Sequence, residues 1–242
     1  PIITMQFSFD SGAAQDPDGK AGLANLMTGL FDEGAGDLDS DAFQTKMEEL
    51  GAEMSFNASS DAISGQVRML SENSDEVLDL VRLAVTSPRF DIDPVERIRS
   101  QIAVGIRADE RNPSKQGGEA LAKALYGDHP YARSTEGTLE TLASITPEDL
   151  KAFHKRVFGR SNLTIGVVGD IDAERLAAVL DTVFGALPEE AELQVVEDIE
   201  PKLGQEVRVD YPLPQTTLRL VYPGIERDDP EFFSAYLMNQ IL

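Results

Sequence analysis

Asp61-Ala62-Ile63-Ser64-Gly65-Gln66-Val67-Arg68-Met69-Leu70 sets apolar Ile63, Val67 and Met69 against polar Ser64, Gln66 and Arg68 between them. A period of two sends successive side chains to opposite faces, so the stretch predicts a strand with one buried and one solvated face. Residues 52–58 carry a weaker form of the same alternation. The Ser59-Ser60-Asp61 link between the two runs is short enough for a hairpin. Upstream, Ile2-Ile3-Thr4-Met5-Gln6-Phe7-Ser8-Phe9 predicts a third strand.

Helical spacing fills the ground between and beyond these strands. Asp16-Pro17 reads as an N-cap with proline at the first helical position, opening a helix with Leu23, Leu26, Met27 and Leu30 on one face. Ser40 opens a second through Phe43, Met47 and Leu50, with Gly51 as its C-terminal glycine. Further helices are predicted over roughly 74–86, from Asp93-Pro94 to about Arg111, over 114–126, and from Thr146-Pro147 to Phe158. Leu163-Thr164-Ile165-Gly166-Val167-Val168 predicts a buried strand, followed by a helix from Asp172 to Phe184. Strands and helices in this order make an α+β protein.

Residues 186–204 are rich in Glu and Pro and lack a sustained apolar period; 191–204 is taken as the linker. Strands are predicted near 205–211 and 215–222, then a helix from Asp229-Pro230 to the end. The tail repeats the head. Pro214-Gln215-Thr216-Thr217-Leu218-Arg219-Leu220-Val221-Tyr222 matches Pro1 to Phe9 in apolar pattern, and Asp229-Pro230 falls at the offset of Asp16-Pro17. The expected organisation is a first repeat over 1–190, a linker over 191–204, and a truncated start of a second repeat over 205–242. A chain that begins at Pro1, at the edge of a strand, and stops in mid-helix reads as a trimmed piece of a tandem protein.

The chain of 242 residues is 41% hydrophobic, enough for a substantial core. With 43 acidic and 21 basic residues its net charge is −22, which repels phosphate backbones and anionic lipid and favours a basic peptide or protein surface. Nucleic acid is therefore an unsuitable partner, and no apolar run reaches the length of a membrane span. The absence of cysteine excludes disulfides, thiol catalysis and Cys-ligated zinc, and fits a bacterial cytoplasm or periplasm equally.

Local motifs for catalysis or metal binding are missing. The two histidines, His129 and His154, are far apart in sequence, and no acidic residue flanks His154 at ligand spacing. Asp37-Leu38-Asp39-Ser40-Asp41 has the acidic look of a calcium loop, with Glu48 at the twelfth position, but Ala42 stands where the loop needs Gly. Acids capping a helix account for it better. Gly166-Val167-Val168-Gly169-Asp170 lacks the glycine spacing of a dinucleotide site.

Four stretches in register resemble the M16 (insulinase, pitrilysin and mitochondrial-processing-peptidase-like) metallopeptidases. Gly22-Leu23-Ala24-Asn25-Leu26-Met27-Thr28-Gly29 is similar to that family's inverted zinc helix, G-x-A-H-x-x-E-H. Leu125-Tyr126-Gly127-Asp128-His129-Pro130-Tyr131 with Gly137, Ile145-Thr146-Pro147-Glu148-Asp149-Leu150-Lys151-Ala152-Phe153, and Asn162-Leu163 through Val167-Val168-Gly169-Asp170 resemble three later family segments. The resemblance implies the LuxS-like metallohydrolase α/β roll, a mixed and mostly antiparallel sheet with helices on one face. It also implies that His129 belongs to a structural turn.

The departures bear on function. Asn25 and Gly29 stand where the family has its two ligand histidines, and Thr28 where it has the general-base Glu. The distal Glu ligand falls near Val104, Gly105 and Ile106, with Gly105 at the ligand position and Glu110 more than a turn away. The resemblance therefore implies a catalytically inactive member, with no metal, no cofactor and no catalytic residue of its own. Silent chains of this family pair with an active HxxEH subunit and help hold the peptide, often along a sheet edge. The implied partners are an active M16 subunit or a second copy, and peptide. The alternative is a peptide-binding or scaffold protein of the same fold that works without a protease. Family habit places such a chain in the bacterial periplasm.

Overall fold

The computed structural model describes every residue except 213 and 242. In chain order it forms β1 (Ile2–Phe9), α1 (Leu23–Thr28), the short strands β2 (Gly34–Ala35) and β3 (Leu38–Asp39), α2 (Ser40–Glu49), β4 (Glu53–Ala58), β5 (Ile63–Leu70), α3 (Ser74–Thr86), α4 (Ile92–Asp109), α5 (Pro113–Tyr126), α6 (Leu139–Ser144), α7 (Pro147–Val157), β6 (Leu163–Gly169), α8 (Ala173–Phe184) and α9 (Phe232–Ile241).

Four strands form one sheet in the order β4-β5-β1-β6, and all three ladders are antiparallel. The alternation that predicted β5 holds: Ile63, Val67 and Met69 are buried, and opposite them on β1 lie Phe9, Met5 and Ile3. Gly65 leaves room for the Phe7 ring, since a Cβ there would come within 2.3 Å of it. The other face is polar. Gln6 and Gln66 hydrogen-bond across it at 2.7 Å, and the Ser8 and Ser64 hydroxyls lie 3.3 Å apart. One wet and one dry face is the usual state of an antiparallel sheet.

Helices cover the dry face, and local chemistry starts and stops them. Asp39 caps α2 by accepting from the Ala42 N–H, and Gly51 follows α2 with φ of +61°. Thr146 and Asp149 form a reciprocal capping box at α7, whose first residue is Pro147. Leu150, Phe153 and Val157 of α7, Val77, Leu80, Val81 and Ala84 of α3, and Leu23, Leu26 and Met27 of α1 then fill a common core with the sheet.

Several sequence expectations are corrected. Asp16-Pro17 does not open a helix; the helix begins at Leu23, and Asp16 serves it from a distance. The next Asp-Pro is offset too: α4 starts at Ile92 with Asp91 as its N-cap, so Pro94 lies in the first turn, where no N–H is missed. Strand β6 is not buried but lies at an edge, with Val168 78% exposed. The expected strands near 205–211 and 215–222 do not form: these residues pair in no ladder and are exposed along their length among the described residues. Strand-like alternation without a neighbouring strand leaves backbone groups to water, and the chain stays irregular. The predicted final helix is present but starts at Phe232.

Candidate functional site

Helix α1 is six residues long, too short to be stable by itself, and its surroundings hold it. Its N-cap, Gly22, has φ of +98°, a left-handed conformation, and a Cβ there would come within 2.5 Å of the Glu136 carbonyl oxygen. The carboxylate of Asp16 accepts from the N–H groups of Gly22 (2.8 Å) and Ala24 (2.9 Å). Asp16 is buried, and burial pushes its carboxyl up to about 6, although bonds from Ala24, Gly22 and Leu23 and the charge of Arg133 pull it down.

Leu23, Ala24, Leu26 and Met27 are buried, while Asn25 and Gly29 are partly exposed on the outer side. Thr28 is buried, and its hydroxyl donates to the Asn25 carbonyl oxygen at 2.8 Å. Gly29 faces α4, where a Cβ would meet the tip of Ile98 at 2.9 Å. Gly105, further along α4, is exposed, with nothing within 4 Å of where its Cβ would stand. Val104 is exposed, Ile106 packs partly on the core, and Glu110 is exposed at the C-cap of α4. Among the described residues, no group of three or more His, Cys, Asp or Glu is placed to hold a metal ion.

Just beyond α1 lies a charged cluster that the sequence did not reveal. Glu33, 5% exposed in its side chain, receives both guanidinium nitrogens of Arg97 from α4, the hydroxyl of Ser40 and the amide of Gln44. Burial alone would raise the Glu33 carboxyl, but these partners outweigh it and hold it below the ordinary range. Its neighbour Asp32, half-buried, is pushed up by burial and by the charge of Glu33, more than its own backbone bond and Arg97 pull it down. Residues 33 and 97 are too far apart for any local motif to link them.

The remaining candidates are structural. His129 accepts from the Tyr131 N–H at Nδ1 (3.2 Å), and its Nε2 lies 2.9 Å from the Glu197 carbonyl oxygen. His154 is half-buried beside Phe158, Phe31 and Phe90, and its Nε2 donates to the Val85 carbonyl oxygen at 2.8 Å. Burial lowers its pKa, against the opposing effect of the bond to Val85. Asp39 of the acidic run is the helix cap already described. Gly169 brings β6 against the start of β1, where a Cβ would come within 2.2 Å of the Ile2 carbonyl oxygen.

Strand β4 packs against α1 and lies at the end of the sheet, so its outer edge is unpaired among the described residues. Along it Glu53, Ser55 and Asn57 point to the polar face, while Met54 and Phe56 pack on the core. A free edge of six residues can accept another strand through main-chain hydrogen bonds.

Comparison with known proteins fits this geometry. Residues 2–139 match the family model "Insulinase (Peptidase family M16)", and residues 144–242 match "Peptidase M16 inactive domain". A non-peptidase homolog from Helicobacter pylori, YmxG, is 22% identical over 78% of this chain and 44% of its own length. The crystal structure of a peptidase M16 inactive domain from Pseudomonas fluorescens superposes with a TM-score of 0.78 and 32% identity, over 84% of this chain and 50% of that one. The periplasmic protease PqqL from Escherichia coli shares the fold with a TM-score of 0.72 at 22% identity, over 81% of this chain and 23% of that one. The chain spans about half the length, or less, of curated relatives it matches.

Proposed function

The chain belongs to the M16 (insulinase) family of peptidases, and from that premise we propose that it is a non-catalytic member that holds peptide and assembles with an active, HxxEH-bearing subunit. The observation that carries this reading is the donor set on α1 and α4. A catalytic zinc needs imidazole or carboxylate ligands and an adjacent base to activate water. At the corresponding positions Asn25 offers only a neutral amide, Gly29 and Gly105 offer nothing, and Thr28 is no base. The residues present do not fit a catalytic zinc.

The helix itself is kept intact. Asp16, Gly22 and the buried face of α1 preserve a rigid wall beside the free edge of β4. A peptide added to that edge would meet Met54 and Phe56 on one side and Glu53, Ser55 and Asn57 on the other. The net charge of −22 favours a basic peptide. The tail is read here as the start of a second repeat over 205–242. It exposes Leu218, Leu220, Tyr222, Phe233, Tyr236 and Ile241, an apolar surface of the kind the rest of such a repeat would cover. The periplasm is the proposed compartment, by analogy with PqqL.

The test is peptide cleavage by the purified chain alone and mixed with an HxxEH-bearing family member. The reading expects no cleavage by the chain alone, and zinc-dependent cleavage faster in the mixture than by the active member alone. Cleavage by the lone chain after zinc reloading, lost on chelation, would refute it. Peptide binding without any gain in the mixture would favour the protease-independent scaffold.

A further inference from the structure

The stretch between the packed body and the tail has no helix or strand, yet it is fastened down along its course. Arg160 and Ser161 donate their N–H groups to the carbonyl oxygens of Pro188 and Glu189, both at 2.9 Å. The Glu192 N–H donates to the Arg156 carbonyl oxygen at 2.8 Å. Further on, Glu197 meets His129, and the Lys202 N–H donates to the Leu125 carbonyl oxygen at 3.0 Å. Gly159 is shaped for the passage: a Cβ there would come within 2.5 Å of the Ala191 backbone nitrogen.

The tightest fastening is at Gln15. Its buried carboxamide donates to the Gln194 carbonyl oxygen (2.9 Å) and accepts from the Gln194 N–H (2.8 Å), as a neighbouring strand would. Arg156 closes the ring, donating to both the main-chain and side-chain oxygens of Gln15. The next residue, Asp16, holds the first turn of α1 through Gly22 and Ala24. Two consecutive residues thus grip the strap with one side chain and the site helix with the other.

We infer that residues 188–202 are a docked strap whose seating, read by Gln15, sets the order of the N-terminal turn of α1, so that the chain beyond the strap is coupled to the site helix. Undocking the strap takes the acceptor from the buried Gln15 amide N–H and leaves its oxygen to Arg156 alone, a costly state. It also frees the Gln15-Asp16 pair to move, and Asp16 then loses its aim at Gly22 and Ala24. A short helix with no other N-terminal side-chain cap frays first. This coupling does not depend on whether the chain works with a protease.

Hydrogen exchange of the full chain, followed by mass spectrometry, tests it, with β1 as the internal reference for global opening. Gly159→Ala presses on Ala191 and touches neither Gln15 nor α1. The expected result is exchange at least about tenfold faster both in 190–198 and in 22–28, with β1 unchanged. Gln15→Ala is expected to do the same from the other side. The inference is overturned if Gly159→Ala frees 190–198 while 22–28 keeps its original protection. If either variant also opens β1, His129→Ala, which removes the contact to Glu197, is judged by the same two segments.

Discussion

The head and the tail carry one sequence pattern and adopt two structures. Pro1 to Phe9 and Pro214 to Tyr222 share their apolar spacing, and each is followed at the same offset by Asp-Pro and then a helix. In the head the segment is β1, paired on both sides by β5 and β6, with Ile3, Met5, Phe7 and Phe9 buried. In the tail it pairs with no strand among the described residues, and Leu218, Leu220 and Tyr222 face solvent. Asp16 is buried and holds α1, whereas Asp229 is exposed and accepts from the Glu231 N–H nearby. Alternation states which face a strand would bury; only a neighbouring strand and a layer to cover that face turn it into one.

The sharpest way to break the comparison is to truncate equivalent side chains at both ends. Phe9 is fully buried and packs on the Phe158 ring at 4.2 Å between centroids. Phe9→Ala should cost about 3–5 kcal/mol in denaturant unfolding. Tyr222→Ala, at the matching tail position, should stay within about 0.5 kcal/mol. Equal losses would mean that the tail is packed in solution as the head is.

Asp16 gives a second test, set by pH. Burial raises its carboxyl from the usual 3.8 to about 6, so the folded state holds its proton more tightly than the unfolded state does. The stability this contributes is full below about pH 4 and lost as pH rises through about 6. Asp16→Asn removes this dependence. The stability of the wild type relative to that variant should therefore fall by up to about 3 kcal/mol between pH 4 and pH 7. A slope of opposite sign at Asp16 would mean that the N–H groups of α1 outweigh its burial.

The same contrast explains what could be read from the chain. The hairpin, β1, α2, α3, α7 and α8 were legible because period and caps agree there, as with Thr146-Pro147 and the Asp39 cap. Asp16-Pro17 misled because an N-cap motif is local, while this aspartate reaches Gly22 and Ala24 across a loop. β6 misled because an apolar run does not say which strands flank it. At the site, the assignment of Asn25, Thr28, Gly29 and Gly105 to motif positions rests on resemblance to a family motif alone. Glu33 with Arg97, and Gln15 with Gln194, were hidden because folding alone brings such distant residues together.

The helix that opens the site is the place to test the account most directly. Zinc titrated calorimetrically into the chelator-stripped chain at neutral pH should give no stoichiometric uptake, whereas a variant carrying Asn25→His, Thr28→Glu, Gly29→His and Gly105→Glu supplies the missing donors for comparison. One zinc bound per unaltered chain more tightly than about 1 µM, and lost when Asn25 is replaced by Ala, would contradict the reading of this protein as a silent member of its family.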